Sequence, residues 1–355
     1  MFETYSVGSL PRPRWVKDLI ENRKSGSITP DEFDSVLDNA IPSAIKLQEC
    51  AGLDFVSDGE WRRESYIKVF SDSVYGFKSD LHVEESGVPV SKLPYPAVVN
   101  KIKSRIPIAD KEALFLKQHT NRNTIVAIPS AYTIGRRMWI EEHSKKAYQT
   151  REEFISDCIP ILRDEIALLE QIGVDSIQLD DPWLALLVDP SYRQRENIVN
   201  IENEIELSIN SINSIVEKAS IPISVHLCHA HFNRKHGTKG SYEPIMQALN
   251  AINANRFALE LATPDAGTIK VLKEFPPDKT LGLGVVDHTN PEIETPEQIL
   301  NRTLAAMEYV SPENITLNTD CGFSPSSQNP MDLDEAYLKL KAMCMGAEML
   351  RNKYA

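Results

Sequence analysis

Ile221-Pro-Ile-Ser-Val-His-Leu-Cys-His-Ala-His-Phe232 is an apolar, β-like run that ends in an imidazole and a thiol two residues apart. On a strand, positions i and i+2 share a face, so His226 and Cys228 point the same way. Nitrogen and sulfur donors on one face suit zinc, although a lone pair of them is more often packing or surface. The run decides the fold because it is one of a series. Comparable runs occupy Thr4–Ser9, Leu53–Ser57, Thr124–Pro129, Ser176–Leu179, Ile221–Leu227, Arg256–Leu261, Thr280–Val286 and Asn314–Asn318, most of them separated by helical patterns. Repeated strand-then-helix units imply parallel strands. Eight such units predict a closed (β/α)8 TIM barrel, one catalytic domain over residues 1–355.

Local signals agree. Thr150-Arg-Glu-Glu153 reads as a capping box opening a helix to Gly173 with Pro160 bending it, and Thr295-Pro-Glu-Gln298 opens another running to about Tyr309. Residues 71–108 break the rhythm. Their Gly, Pro and alternating residues predict a hairpin-like insertion after the second strand, either a lid, an interface or a passive cover.

Composition excludes several classes. The chain has 355 residues, a net charge of -13, 42% hydrophobic and 25% charged residues. That balance describes a globular protein, without the clustered Lys and Arg that a nucleic-acid surface needs. No apolar run approaches the roughly 18 residues of a membrane span. Met1-Phe2-Glu3-Thr4-Tyr5 has neither a basic segment nor an apolar signal core, so the expected location is cytoplasmic. Five scattered cysteines argue against a disulfide framework, and Cys50, Cys158 and Cys344 read as small buried hydrophobes in helices.

In such barrels the active site is built at the carboxyl ends of the strands. Here those ends carry Gly8-Ser9, Asp58-Gly-Glu60, Asp180-Asp181-Pro182, His226 with Cys228, Glu260, Asp287-His288 and Asp320-Cys321-Gly322, while the third, Ile128-Pro-Ser-Ala-Tyr132, has hydroxyls alone. His226, Cys228, Glu260 and Cys321 supply a zinc set, and a carboxylate inside Phe257-Ala-Leu-Glu-Leu261 demands a partner. His229, His231 and His236 read as solvated or supporting residues.

Two thiolates, an imidazole and a carboxylate leave zinc a weak acid toward water. Such a site suits a different task, holding a substrate thiol deprotonated near neutral pH, where a free thiol of pKa about 8.5 is mostly protonated. The expected chemistry is alkyl transfer to a thiol. Glu60 and Asp180 would bind an ammonium, Ser9 and the backbone after Gly8 a carboxylate, and Asp287-His288 a general acid or positioning group. Turn readings compete at Asp58-Gly59, Asp181-Pro182 and Asp287.

Val7-Gly-Ser-Leu-Pro11, Asp58-Gly-Glu60, Ile177-Gln-Leu-Asp-Asp-Pro182, His226-Leu-Cys228, Glu260, Val286-Asp-His288 and Asn318-Thr-Asp-Cys-Gly322 occur in order across nearly the whole chain. In these the chain resembles the catalytic carboxyl-terminal half of cobalamin-independent methionine synthase. The resemblance implies zinc on His226, Cys228, Glu260 and Cys321, homocysteine contacts at Ser9, Glu60 and Asp180, and an acid-base or positioning role for His288. The departures concern the methyl donor. This chain is one barrel long, lacks the tryptophan of folate users near Val126–Tyr132, and has Asp180-Asp181-Pro182 where the family commonly has Asp-Glu-Pro. The donor is therefore expected to be a methylated folate or a methylated corrinoid protein. The alternatives are alkyl transfer to another thiol such as coenzyme M, and a non-catalytic zinc-binding barrel.

Overall fold

The computed structural model describes residues 1–79, 95–324 and 330–354. One sheet contains eight parallel strands: β1 (Thr4–Tyr5), β2 (Phe55–Val56), β3 (Asn123–Pro129), β4 (Ser176–Asp180), β5 (Ile223–Leu227), β6 (Arg256–Leu259), β7 (Thr280–Val286) and β8 (Ile315–Thr319). Their order is β1-β8-β7-β6-β5-β4-β3-β2, so the two ends of the sheet meet as in a TIM barrel. All eight expected runs contain a strand. The seam between β1 and β2 is closed by Asp54. Its amide donates to the Thr4 carbonyl at 3.1 Å, and its carboxylate accepts from the Thr4 amide and hydroxyl at 2.8 and 2.9 Å.

Helices α1 (Pro30–Ala51), α2 (Ala131–Met138), α3 (Arg151–Ile172), α4 (Ile201–Val216), α5 (Pro296–Ala306) and α6 (Leu333–Tyr354) belong to the outer layer. In α3, Phe154, Ile155, Cys158, Leu162, Ile166 and Leu169 recur at helical spacing and are buried. Each large apolar side chain taken from water contributes about 1.5–3 kcal/mol, which fixes the face α3 turns inward. Thr150 caps α3 as expected, accepting from the Glu153 amide at 3.2 Å, but Glu153 accepts from Gln149 at 2.8 Å instead of closing a box. The box at Thr295 is complete, and α5 ends at Ala306, short of Tyr309. An unforeseen second box forms between Thr29 and Glu32.

The barrel interior is filled near its amino end by Arg256, whose guanidinium lies 4.3 Å from the Tyr5 ring and hydrogen-bonds Ser224 and Ser176. The insertion is a hairpin, as expected: Val74–Lys78 pairs antiparallel with Ala97–Ser104, Val74 standing opposite Ser104. Phe77 meets Phe70 and Phe154 edge-on, docking the hairpin against α3. The middle of the 71–108 segment, residues 80–94, lies outside the described residues.

The cysteine expectation needs correction. Cys158 is buried, but Cys50 is exposed and Cys344 half-buried. Cys50 sits one residue from the end of α1, on the face turned from the core. No helix among the described residues is long and apolar enough to cross a membrane.

Candidate active site and metal centre

Parallel register sets the first contact. Asp180 at the end of β4 stands directly opposite His226 on β5, and its Oδ1 lies 3.2 Å from His226 Nδ1 while accepting from Gln178 at 2.8 Å. A carboxylate against one ring nitrogen fixes the ring and leaves the other for a ligand. His226 Nε2 is indeed buried without a hydrogen-bond partner among the described residues.

Cys228 follows two residues later, and Cys321 arrives from the loop after β8. The Cys321 thiol donates to Cys228 Sγ across 3.5 Å. Gly322 lets that loop approach: a Cβ there would stand 3.0 Å from both the Ser9 amide and the Val7 carbonyl. The donor atoms of His226, Cys228 and Cys321 all lie within 4.8 Å of one another, and all three residues are buried. The hydrogen bond from Cys321 and then the His226 charge draw Cys228 down to about 5, opposed by burial. The same bond pushes Cys321 well up. Burial opposes protonation of His226, but the Cys228 and Asp180 charges outweigh it and raise the imidazole well above its ordinary value. An orphaned imidazole nitrogen and two soft sulfurs at this spacing fit a borderline-soft cation such as zinc.

Glu260, the fourth expected ligand, stands in a second group. Its Oε2 accepts from the His229 amide at 2.7 Å and lies 3.2 Å from His229 Nδ1. Oε1 lies 2.8 Å from His236 Nδ1, and Glu260, His236 and His288 form a separate cluster with donor atoms within 4.8 Å. The Tyr242 hydroxyl pins the neighbourhood, donating to the Leu227 carbonyl at 2.8 Å and accepting from the Glu260 amide at 3.0 Å. Burial works against ionisation of Glu260, but His229 and His236 overcome it and hold the carboxyl well below its ordinary range.

Of the histidines expected to be solvated or supporting, His229 supports Glu260. His229 and His231 are buried, with His231 Nε2 donating to the Gly322 carbonyl at 2.8 Å. Their full burial was not signalled, because the loop's Lys and Arg suggested solvent. The backbone instead doubles back in a two-stranded ribbon, His231–Phe232 with Lys235–His236.

Beside the thiols lies a pocket whose walls include Ser9, Glu60, Asp180, His226, Cys228 and Cys321. The structure therefore brings the three expected substrate contacts and three of the expected ligands to one cavity. Glu60 is held in a left-handed backbone conformation, φ 56°, with its amide bonded to Asp58 Oδ1 at 2.9 Å. Such strain persists where the surroundings impose it, often at functional sites. Burial raises the Glu60 carboxyl to about 7, against the pull of Arg63, whose Nη1 lies 3.6 Å away. Arg63 is itself clamped by Glu112 and by the Ala127 carbonyl at 2.9 Å. The Ser9 hydroxyl is buried with no partner among the described residues.

Asp287 and His288 do not reach that pocket wall. Asp287 Oδ1 accepts from the Thr289 amide and hydroxyl at 2.7 and 2.6 Å, a turn. The His288 ring centroid lies 4.0 Å from that of His231. Asp181, too, is structural, accepting from Thr133 at 2.9 Å and Ser208 at 2.6 Å. Three wall residues were not anticipated: Tyr66, Tyr95 and Trp183. The Arg137 guanidinium lies 4.2 Å from the Tyr95 ring and 4.7 Å from the Trp183 ring, so a cation–π stack braces two of them. Trp183 follows Pro182 directly and was legible from its place at a strand end; Tyr95, at the hairpin base, carried no such signal.

Fold and site together define a barrel enzyme with a candidate nitrogen-and-sulfur metal centre at the carboxyl ends of its strands. The family model described as the catalytic domain of cobalamin-independent synthase matches residues 2–349, and the chain belongs to that family of methyltransferases. Methionine synthases of Thermococcus kodakarensis and Pyrococcus horikoshii are each 30% identical to it, over 99% of this chain and 94% and 93% of theirs. The solved B12-independent methionine synthase of Shewanella sp. W3-18-1, a complex with selenomethionine, shares the fold at a TM-score of 0.82, with 22% identity over 99% of this chain and 98% of that one.

Proposed function

We propose that this chain is a zinc-dependent methyltransferase whose acceptor is homocysteine, or a close amino-thiol, giving methionine or the matching thioether. The observation that carries the reading is the gathering of His226, Cys228 and Cys321 on one wall of a pocket that also holds Ser9, Glu60 and Asp180. His226, Cys228 and Cys321 would hold zinc, with Glu260 the available fourth ligand. When bound, the metal holds the acceptor thiol as a thiolate near neutral pH, where a free thiol is mostly protonated.

The chain's own residues do the rest. Asp180 orients the His226 ring through Nδ1, which leaves the unpartnered Nε2 available as a ligand. Glu60 and Asp180 give the acceptor ammonium two carboxylates. Ser9 offers its unpartnered hydroxyl to the carboxylate, beside Gly8, whose φ of 66° no larger residue adopts easily. Tyr66, Tyr95 and Trp183 exclude water from the sulfur, which strengthens each of these polar contacts. The thiol proton passes to solvent beforehand; the sulfur–carbon bond then forms as the carbon–donor bond breaks, its electron pair leaving with the demethylated donor. A sulfonate thiol such as coenzyme M would set its anion against Glu60 and Asp180, which favours the amino-thiol.

The test is a donor panel: zinc-loaded protein, homocysteine, and methylated folate with short and long glutamate tails or a methylated corrinoid protein, scored by product mass. Methionine formed from at least one donor is the expected result. No methionine from any of them, with zinc and thiol both bound, would overturn methyl transfer.

A further inference from the structure

We propose, on the amino-thiol reading above, that Arg12 is a positioning residue that sets the spacing between the acceptor's amino-acid contacts and the sulfur-rich centre, and so tells homocysteine from cysteine, its analogue one methylene shorter. The Arg12 side chain is buried and reaches two carbonyls at once. Nη1 donates to the Ser324 carbonyl at 2.6 Å, and Nη2 to the Glu60 carbonyl at 2.8 Å. Ser324 lies three residues beyond Cys321 in the loop after β8, and Glu60 lies in the loop after β2.

The backbone between those loops repeats the link. The Ser9 carbonyl accepts from the Phe323 and Ser324 amides at 2.8 and 3.2 Å, and the Leu10 amide donates to the Gly59 carbonyl at 3.1 Å. The segment after β1 is therefore bonded on one side to the loop that carries Cys321 and on the other to the loop that carries Glu60, with Arg12 spanning both. The Glu60 carbonyl also accepts from the Arg63 amide at 3.1 Å, so two donors hold a residue whose backbone is left-handed at φ 56°. A planar guanidinium answers two carbonyls from two fixed nitrogens, whereas an ammonium is one point charge on a flexible stem.

An acceptor held by Ser9 and Glu60 at its amino-acid end and by the metal at its sulfur must span a distance that the protein sets. Homocysteine and cysteine differ in that span. A missing methylene is worth about 10–200-fold in discrimination. That preference is realised only where the anchors cannot shift toward the shorter ligand, which is what Arg12 prevents.

Full-length, zinc-loaded Arg12→Lys, with Arg12→Gln as a second variant, tests the role, and thermal unfolding reports that the barrel is intact. Hydrogen exchange reads the clamp without any ligand. The Leu10, Arg63, Phe323 and Ser324 amides should exchange about tenfold faster in the variants, with the amides of α3 unmoved. Unchanged exchange at all four overturns the clamp. Calorimetry then compares homocysteine with cysteine. The wild type should bind homocysteine about 10–200-fold more tightly, and the variants should lose most of that ratio while keeping zinc. Equal weakening of both thiols, with the ratio unchanged, overturns the specificity role and leaves the amino-thiol reading standing. A wild type that binds neither thiol overturns the amino-thiol reading and the specificity role with it, and the exchange result still decides the clamp.

Discussion

Cys228 Sγ and Cys321 Sγ stand 3.5 Å apart although 93 residues separate them, and the thiol of Cys321 donates to the sulfur of Cys228. Both are buried, with a ring nitrogen of His226 and the two sulfurs all within 4.8 Å of one another. Soft donors gathered out of water in this way would chelate a borderline-soft cation. Cys228→Ser and Cys321→Ser should each lower zinc per chain severely while leaving the fold, measured by metal analysis beside thermal unfolding. Full zinc in both variants would show the ligand set to be wrong.

Glu60 sets a pH dependence. Burial lifts its folded-state pKa from an ordinary 4.5 to about 7, so the proton-bound form is favoured in the fold. An ammonium needs the ionised form. Affinity for methionine, whose sulfur does not titrate, should therefore rise as pH passes upward through about 7. Glu60→Gln should abolish that step and weaken binding by about 1.5–3 kcal/mol, with zinc retained. Calorimetric titration across pH reads both.

The same raised pKa predicts a stability effect of opposite sense. Its contribution is fully present below pH 4.5 and is lost as pH rises through 7, at a cost on the order of 3 kcal/mol once the buried carboxylate is charged. Glu60→Gln should consequently gain stability relative to the parent at pH 8 and little at pH 4, read by denaturant unfolding. An equal difference at both pH values would contradict the buried, neutral carboxyl.

Asp180 faces His226 as well as the pocket. Asp180→Asn keeps the shape but removes the charge that orients the imidazole, so zinc affinity should fall about 10–100-fold. Competition with a chelator measures it. Acceptor affinity should fall too, which separates Asp180 from the cysteines, whose loss acts on the metal first.

Arg63 is buried between Glu60 and Glu112. Glu112→Ala leaves the guanidinium short of its strongest partner, and breaking a buried pair in this way costs about 3–5 kcal/mol. Urea unfolding checks the magnitude. Replacement of both residues by apolar ones should cost less than Glu112→Ala alone.

The barrel was legible because each strand is an apolar run that ends where polar residues begin, and the helices between them carry their own caps. Ser9, Glu60, Asp180, His226, Cys228 and Cys321 were legible for the same reason: strand ends converge in this fold. What escaped the sequence lies in side-chain direction and in loops. Glu260 was found, but its two oxygens are claimed by His229 and by the ribbon carrying His236, and nothing in the spacing announces a tight turn at Asn233-Arg234. Asp287 looked catalytic beside His288, yet its carboxylate is consumed by the amides that follow it. Tyr95 reaches the pocket from the base of a hairpin that pattern alone leaves unplaced.

Thiol activation at the sulfur-rich centre is the central claim, and X-ray absorption at the zinc edge tests it most directly. The zinc-loaded protein should show the two sulfurs of Cys228 and Cys321, and addition of homocysteine should add a third sulfur neighbour at the zinc–sulfur distance of about 2.3 Å. An unchanged coordination shell with homocysteine bound would contradict the account.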